Sequence, residues 1–326
     1  MGGYNSTYSV LEFNSYVTPN TVKIFGHYDT SEGNTKAWLS RHPVNPNIIL
    51  GSNDHAVANK PGHLTSYSLD PITGKLTYID SVDTGGFPSA TFRFDPLTGK
   101  FGEQINKEIL EFPGYTLKPR QRGKAGEDLI RMYDIDENGI LTEHAKYQMP
   151  YAAGLRHVAI TADGKTMYIL FELSVMLRAM SIDRETGELI QINEDVPIYD
   201  TTTTSYSENI TAAALYVSND GRFVYALNRV LTELHLRPET IAVWSVSPKD
   251  GSLKRIQSAP VPGAYQTRCF KLSPPVTTGS AGGQYVVADG VSTDNTSVFK
   301  RDRATGLLEL VASVEGSDQL STDLWL

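Results

Sequence analysis

Short runs of β-forming residues, separated by polar turns, follow one another along most of this chain. Residues 166–170 and 223–227 are two such runs, and each is preceded by an Asp-Gly turn and another apolar run. A strand, a tight turn and a second strand form a β-hairpin. Amphipathic helical runs are scarce, so the pattern predicts an all-β protein.

A second kind of turn has the form Asp-x-x-Thr-Gly-x-Leu/Phe, and it recurs after short β-forming runs. Asp favours a tight turn, and Gly accepts the positive φ with which the chain reverses into the next strand. Each copy therefore predicts a further β-hairpin. The copies are 70–76, 95–101, 183–189 and 302–308, with looser copies at 136–141 and 248–253.

The two kinds of hairpin alternate along the chain, and a repeated unit of this size is typical of a repeat architecture. Two hairpins in series make a four-stranded antiparallel sheet, and a ring of such sheets is a β-propeller. No low-complexity or Pro/Ser-rich hinge divides the chain, so we predict one propeller domain over residues 1–326. The ordered pairing of the turns disfavours the alternative of a β-sandwich.

Composition narrows the possible partners. The formal net charge is −8, with both signs interspersed, so no basic stripe is available for nucleic acid. The only cysteine, Cys269, lies in an apolar run, where we expect inert packing in a reducing compartment. No N-terminal charged segment precedes an apolar run, and no segment is long enough to span a bilayer, so we expect a cytoplasmic protein without a membrane partner.

Several phrases, in this order, resemble the seven-bladed propeller lactonase family, which includes bacterial-type 6-phosphogluconolactonases and fungal carboxy-cis,cis-muconate cyclases. Residues 2–10 resemble the opening strand of that family, and residues 38–47 resemble its first inner hairpin. The family's Gly-Pro-Arg-His, Asn-Glu-Leu-Ser and Ser-Asn-Arg phrases resemble residues 154–159, 171–174 and 227–229, and residues 267–270 resemble a degenerate Pro-Arg-His-Phe. The resemblance implies a seven-bladed propeller.

The turn spacing departs from that family. The turns that begin at residues 70 and 95 are 25 residues apart, too few for four strands of about 5–6 residues each with their turns. Two inner hairpins are missing, which leaves half-blades at 92–105 and 128–145. Either they pair into one blade of a six-bladed ring, because open edges are costly, or they remain two incomplete blades among seven.

The resemblance also implies a site of one histidine, two arginines and one glutamate at the mouth of the ring. Arg156, Glu172 and Arg229 match three of these residues, whereas the histidine belongs to a missing hairpin. Arg268 in the degenerate phrase and Asp54, where the family often has glutamate, are the expected substrate-binding residues. Neither a cofactor nor a metal is implied, since the histidines show no paired ligand spacing.

These residue types suit the chemistry of a lactone. The guanidinium groups of Arg156 and Arg229 would hold an anionic substrate, and Glu172 would act as a general base if its environment raises its pKa. The structural alternative is that Arg156 and Glu172 form a buried ion pair between strands. His157, next to Arg156, should point to the opposite face of its strand and pack in the core. No Ser-His-Asp order or Gly-x-Ser-x-Gly motif indicates a covalent acyl-enzyme.

The resemblance therefore implies a lactonase that hydrolyses a small anionic sugar lactone of the 6-phosphogluconolactone type. Two alternatives stay open: a carboxy-cis,cis-muconate cycloisomerase, and a catalytically impaired propeller that serves as a binding scaffold. The residues alone do not distinguish a phosphate-bearing substrate from a carboxylate, and they do not indicate an oligomeric state.

Overall fold

The computed structural model describes most of the chain, in segments separated by gaps. The described residues are 2–3, 7–29, 38–41, 47–52, 63–83, 109–111, 129–135, 141–150, 153–183, 186–199, 210–230, 239–273, 283–317 and 320–322. Within these segments all regular structure is strand; they contain no helix, and hence none that could cross a membrane.

The described strands are two to nine residues long. In chain order they are β1 (Gly2–Gly3), β2 (Thr7–Asn14), β3 (Thr21–Asp29), β4 (Trp38–Arg41), β5 (Ile48–Ser52), β6 (His63–Leu69), β7 (Leu76–Asp83), β8 (Ile109–Glu111), β9 (Leu129–Ile135), β10 (Leu141–Gln148), β11 (Leu155–Ile160), β12 (Thr166–Phe171), β13 (Met176–Ile182), β14 (Leu189–Gln191), β15 (Val196–Pro197), β16 (Ile210–Val217), β17 (Phe223–Val230), β18 (Thr240–Val246), β19 (Leu253–Pro260), β20 (Thr267–Leu272), β21 (Tyr285–Gly290), β22 (Asn295–Arg301), β23 (Leu308–Glu315) and β24 (Leu320–Thr322).

The described strands form six antiparallel sheets, which we number along the chain. Sheet 1 has the order β24-β1-β2-β3, and sheet 2 has β4-β5-β6-β7. Sheet 3 has β10-β9-β8, and sheet 4 has β11-β12-β13-β14, with β15 also paired to β13. Sheets 5 and 6 have the orders β16-β17-β18-β19 and β20-β21-β22-β23. The prediction of an all-β chain of four-stranded antiparallel sheets is confirmed.

The predicted turns form the hairpins in the described copies. In the copy at 70–76, the Asp70 carboxylate accepts the backbone N–H of Ile72 at 2.9 Å, and the Gly74 N–H donates to the Asp70 carbonyl at 2.8 Å. Gly74 has a φ of 72°, which is the left-handed conformation that the motif requires. The copy at 95–101 and most of that at 136–141 lie outside the described residues.

The innermost strands lie side by side around the ring. β11 of sheet 4 lies next to β16 of sheet 5, β16 next to β20 of sheet 6, and β20 next to β24 of sheet 1, which in turn touches β4 of sheet 2. Because β24 pairs with β1, sheet 1 joins two segments that are far apart in sequence and so links sheets 6 and 2.

Sheet 3 contains the segment in which inner hairpins were predicted to be missing. The half-blade predicted at 128–145 is present as β9 and β10, and the strand beside β9 is β8, at residues 109–111. This partner lies beyond the predicted half-blade at 92–105, which is outside the described residues. The described ranges form six sheets, as a six-bladed ring requires, but the pairing of those two half-blades stays a prediction.

Apolar side chains fill the spaces between neighbouring sheets. One buried cluster joins sheets 4 and 5 and includes Leu170, Leu215 and Trp244. A second joins sheets 5 and 6 and includes Tyr225 and Phe270. The strands near the ring centre are therefore buried on both faces.

Candidate active site

Arg156 lies in a β-bulge of the innermost strand of sheet 4. In β11, Leu155 pairs with Phe171 and His157 with Leu170, so Arg156 is the extra residue without a partner in the ladder. Only 9% of Arg156 is exposed. Its Nε donates to the Ala213 carbonyl in β16 at 2.6 Å, which carries the side chain across to sheet 5.

Glu172 follows the last residue of β12 and lies between two arginines. Its backbone N–H donates to the Gly154 carbonyl at 2.6 Å, which fixes it beside the start of β11. The carboxylate accepts a 2.9 Å bond from Arg156 Nη1 at Oε2 and a 2.5 Å bond from Arg229 Nη2 at Oε1. Arg229 is anchored by its Nε, which donates to Thr211 Oγ1 at 3.1 Å. We call Arg156, Glu172 and Arg229 the arginine–glutamate cluster.

The cluster is almost closed to solvent and carries a formal charge of +1. Glu172 is 3% exposed and Arg229 is 4% exposed. Burial raises the pKa of the Glu172 carboxyl, but the charges and hydrogen bonds of Arg156 and Arg229 outweigh that effect and leave the pKa below its ordinary value. The condition for a strongly basic Glu172, a raised pKa, is therefore not met, because the carboxylate has two cationic partners.

Each arginine keeps one donor group for a further acceptor. The bonds of Arg156 to described residues use Nε and Nη1, and those of Arg229 use Nε and Nη2. Nη2 of Arg156 and Nη1 of Arg229 make no hydrogen bond within the part of the chain that the structure describes. The predicted buried ion pair between Arg156 and Glu172 is present, but each of the two arginines still has one terminal nitrogen that can donate to another acceptor.

Arg268 occupies the position in sheet 6 that Arg156 occupies in sheet 4. The register of β20 shifts between Thr267 and Cys269, which makes Arg268 the bulge residue, and it is partly buried. In sheet 5, between these two, the bulge residue is Ala213. The partners of Glu172 are Arg156 and Arg229, so Arg268 lies outside the cluster. Asp54 is outside the described residues.

One buried carboxyl, that of Glu239, was not predicted from the sequence. Glu239 is fully buried just before β18, and its carboxylate accepts the backbone N–H groups of Val230, Gln266 and Thr267 at 2.7, 2.8 and 2.6 Å. Burial raises its pKa, and the neighbouring Thr267 side chain together with the three backbone donors offsets only part of this effect. No motif surrounds this glutamate, and its partners lie up to 28 residues away.

His157 and Cys269 are both buried, in agreement with the predicted core packing. The bulge at Arg156 interrupts the simple alternation that was assumed for His157. Among the described residues there is no group of three or more His, Cys, Asp or Glu side chains that could hold a metal ion.

A cavity of about 240 Å³ lies between sheets 1, 2 and 6, away from the arginine–glutamate cluster. Its walls are mainly apolar and include Val10, Phe13, Leu69 and Val287. None of the residues that line it belongs to the cluster. The described residues that line the cavity include no charged side chain that could bind an anion.

Comparison with known proteins supports the propeller lactonase family that the sequence resembles. The model of a lactonase family described as a seven-bladed β-propeller matches residues 123–319. The 6-phosphogluconolactonase of Bacillus subtilis is 29% identical over 312 residues, covering 82% of this chain and 84% of that protein. The 6-phosphogluconolactonase of Formosa agariphila is 28% identical over 309 residues, covering 80% and 82%. An uncharacterized Lactococcus lactis protein is 26% identical over 57% of this chain and 49% of its own length.

Solved structures resemble the fold. The periplasmic gluconolactonase of Pseudomonas aeruginosa superposes with a TM-score of 0.66 at 20% identity, covering 96% of this chain and 97% of that one. A Lactobacillus plantarum protein superposes with a TM-score of 0.58 at 22% identity, covering 92% and 77%. At these identities the likeness concerns the fold.

Proposed function

This chain belongs to the lactonase family of seven-bladed β-propellers, and we propose that it hydrolyses a small anionic sugar lactone of the 6-phosphogluconolactone type at the arginine–glutamate cluster. The observation that carries this proposal is the placement of Arg156, Glu172 and Arg229 in mutual contact at the ends of strands in sheets 4 and 5. Relatives named 6-phosphogluconolactonase support the choice of substrate class.

The anionic group of the substrate binds to the unused donors of the two arginines. Glu172 aligns both guanidinium groups, so Nη2 of Arg156 and Nη1 of Arg229 are held in place before the substrate arrives. Guanidinium groups bind carboxylate and phosphate oxygens through paired N–H donors, and the bond strengthens in a buried site. Arg268, at the equivalent bulge of sheet 6, supplies a third cation from the neighbouring sheet.

Hydrolysis adds one water to the lactone. The water oxygen attacks the carbonyl carbon, and a guanidinium stabilises the negative charge that develops on the carbonyl oxygen. The bond from that carbon to the ring oxygen breaks, the ring oxygen takes up a proton, and the product is an open-chain hydroxy acid. The lowered pKa keeps Glu172 ionised at neutral pH, so it accepts the proton of the attacking water as a weak base and then returns this proton to the ring oxygen.

The test is hydrolysis of 6-phosphogluconolactone by the purified protein, corrected for spontaneous opening of the lactone. Wild type, Glu172→Gln and Arg156→Ala are compared, with Arg178→Lys as the matched control. Arg178 of sheet 4 makes a partly buried ion pair with Asp195 at 2.7 Å, and it lies outside the cluster. We expect turnover in wild type and in the control, and a loss of about a hundredfold or more in the two cluster variants.

Equal background rates in all four proteins would contradict the proposal. If wild type then still binds 6-phosphogluconate, the protein is a binding scaffold. Turnover that survives in Glu172→Gln would instead remove Glu172 from the proton transfer and leave the arginines as the catalytic groups.

A further inference from the structure

Glu239 joins the strand that carries Arg229 to the strand that carries Arg268. Oε1 accepts the N–H of Val230, at the end of β17 in sheet 5, and also the N–H of Gln266, just before β20 in sheet 6. Oε2 accepts the N–H of Thr267, the first residue of β20. One carboxylate therefore holds backbone groups of two neighbouring sheets at 2.6–2.8 Å.

The bonded residues are direct neighbours of the arginines. Val230 follows Arg229, and Thr267 precedes Arg268. Arg229 is in turn bonded to Glu172 of sheet 4. The carboxylates of Glu172 and Glu239 thus alternate with the arginines across sheets 4, 5 and 6. Glu239 fixes the distance between the backbone at Arg229 and the backbone at Arg268.

A carboxylate is an unusual choice for a purely structural role here. Glu239 is fully buried, and burying a charge is costly unless it is well compensated. Its partners are neutral backbone groups, and among them Gln266 has a positive φ of 54°, a conformation that glutamine rarely adopts. A buried charge and an unfavourable backbone conformation tend to persist where they help to form a functional site.

We infer that Glu239 is a positioning residue, which sets the distance between Arg229 and Arg268 so that their guanidinium groups hold one anionic group of the substrate together. This role rests on the proposed function of the arginine–glutamate cluster. Glutamine at position 239 has one acceptor oxygen and one NH₂ group, so it cannot accept all three N–H bonds in the same geometry. The strand ends that carry Arg229 and Arg268 then separate or rotate.

The test combines binding and turnover in single and double variants. Binding of 6-phosphogluconate is measured by calorimetry, lactone hydrolysis by rate, and folding by thermal denaturation, for wild type, Glu239→Gln, Arg268→Ala and the double variant. The matched control is Asp220→Asn. Asp220 links the same two sheets, through Arg301 at 3.5 Å, but it lies in the turn before β17, at the opposite end of that strand.

We expect Glu239→Gln to weaken binding of 6-phosphogluconate and to raise KM about tenfold, with a smaller change in kcat. In the Arg268→Ala background the same substitution should change the affinity by less than about twofold, because the spacing no longer matters once one arginine is absent. Asp220→Asn should bind as wild type does.

Three results would overturn the inference: wild-type affinity in Glu239→Gln, an equal loss in the Arg268→Ala background, or an equal loss in Asp220→Asn. The proposed function fails separately. If wild type binds 6-phosphogluconate with the expected coupling but does not hydrolyse the lactone, positioning stands and lactonase activity is wrong. If wild type neither binds nor hydrolyses, both are wrong.

Discussion

Oε1 of Glu172 accepts a 2.5 Å hydrogen bond from Nη2 of Arg229, which joins a carboxylate of sheet 4 to a guanidinium of sheet 5. The other oxygen of Glu172 is bonded to Arg156 of its own sheet. Because both oxygens are engaged by cations, the carboxylate stays ionised and keeps two arginines aligned at the boundary between the sheets. The ion pairs thus join sheets 4 and 5, and in the proposed function the same two arginines bind the substrate anion.

Replacing Arg156 with lysine should impair the site while keeping its charge. A single ammonium cannot reproduce the fork that donates at once to the Ala213 carbonyl, to Glu172 and to a substrate. We expect KM for the lactone to rise about tenfold. The control Arg178→Lys loses a comparable paired contact, with Asp195, and should keep the wild-type KM. Equal KM values in both variants would show that charge alone is sufficient at position 156.

Replacing Glu172 with glutamine should separate proton transfer from anion binding. The substitution raises the formal charge of the cluster from +1 to +2, so binding of 6-phosphogluconate should become several-fold tighter while turnover is lost. Glu172→Asp keeps the charge and should not tighten binding. Calorimetry on the two variants gives the comparison. Weaker binding in Glu172→Gln would mean that its main contribution is to align the arginines.

Gly154 is a packing constraint on the site. Its φ is +73°, and a Cβ built there would lie 2.6 Å from Cγ and 2.9 Å from the backbone nitrogen of Leu173, the residue after Glu172. Gly154→Ala should therefore displace Glu172 and reduce turnover about tenfold or more. It should also cost about 2–4 kcal/mol of unfolding free energy.

The matched control is Gly221→Ala. Gly221 has a similar φ of +66°, but a Cβ there would meet only Thr161 Cγ2, at 3.9 Å. It should cost about 1–2 kcal/mol for the backbone conformation alone and leave turnover unchanged. If both variants lose the same stability and the same activity, the contact between Gly154 and Leu173 has no role in placing Glu172.

Much of the fold could be predicted from the sequence, because each hairpin turn depends on residues that are close together in the chain. The turn at 70–76 needs only Asp70 and Gly74, so the hairpin could be predicted without knowing its neighbours. The meeting of Arg156, Glu172 and Arg229 was expected from resemblance, but the lowered pKa of Glu172 depends on how many cations reach it across two sheets.

Glu239 could not be found in the same way. Its partners are backbone N–H groups, which every non-proline residue carries, so no residue type marks them in the sequence. The strand β8, which pairs with β9 in sheet 3, was likewise not predicted, since it begins at Ile109, beyond the predicted half-blade at 92–105.

Asp220 should make the protein more stable at neutral pH than at acid pH. Burial raises the pKa of Asp220, but hydrogen bonds from Ser218 and Arg222 and the charge of Arg301 lower it by more. The pKa therefore falls from its ordinary value of 3.8 to about 2. A carboxyl whose pKa is depressed on folding stabilises the folded state above its unfolded pKa, and this contribution is lost as the pH falls towards the folded pKa. The stability difference between wild type and Asp220→Asn should therefore be constant above about pH 5 and shrink between about pH 4 and 2.

Urea denaturation of both proteins between pH 6 and pH 3 measures this difference. The effect should be small, because the Asp220 side chain is 33% exposed and solvent screens its partners. A stability difference for Asp220→Asn that is unchanged at pH 3 would mean that its contacts with Arg222 and Arg301 do not stabilise the ionised form.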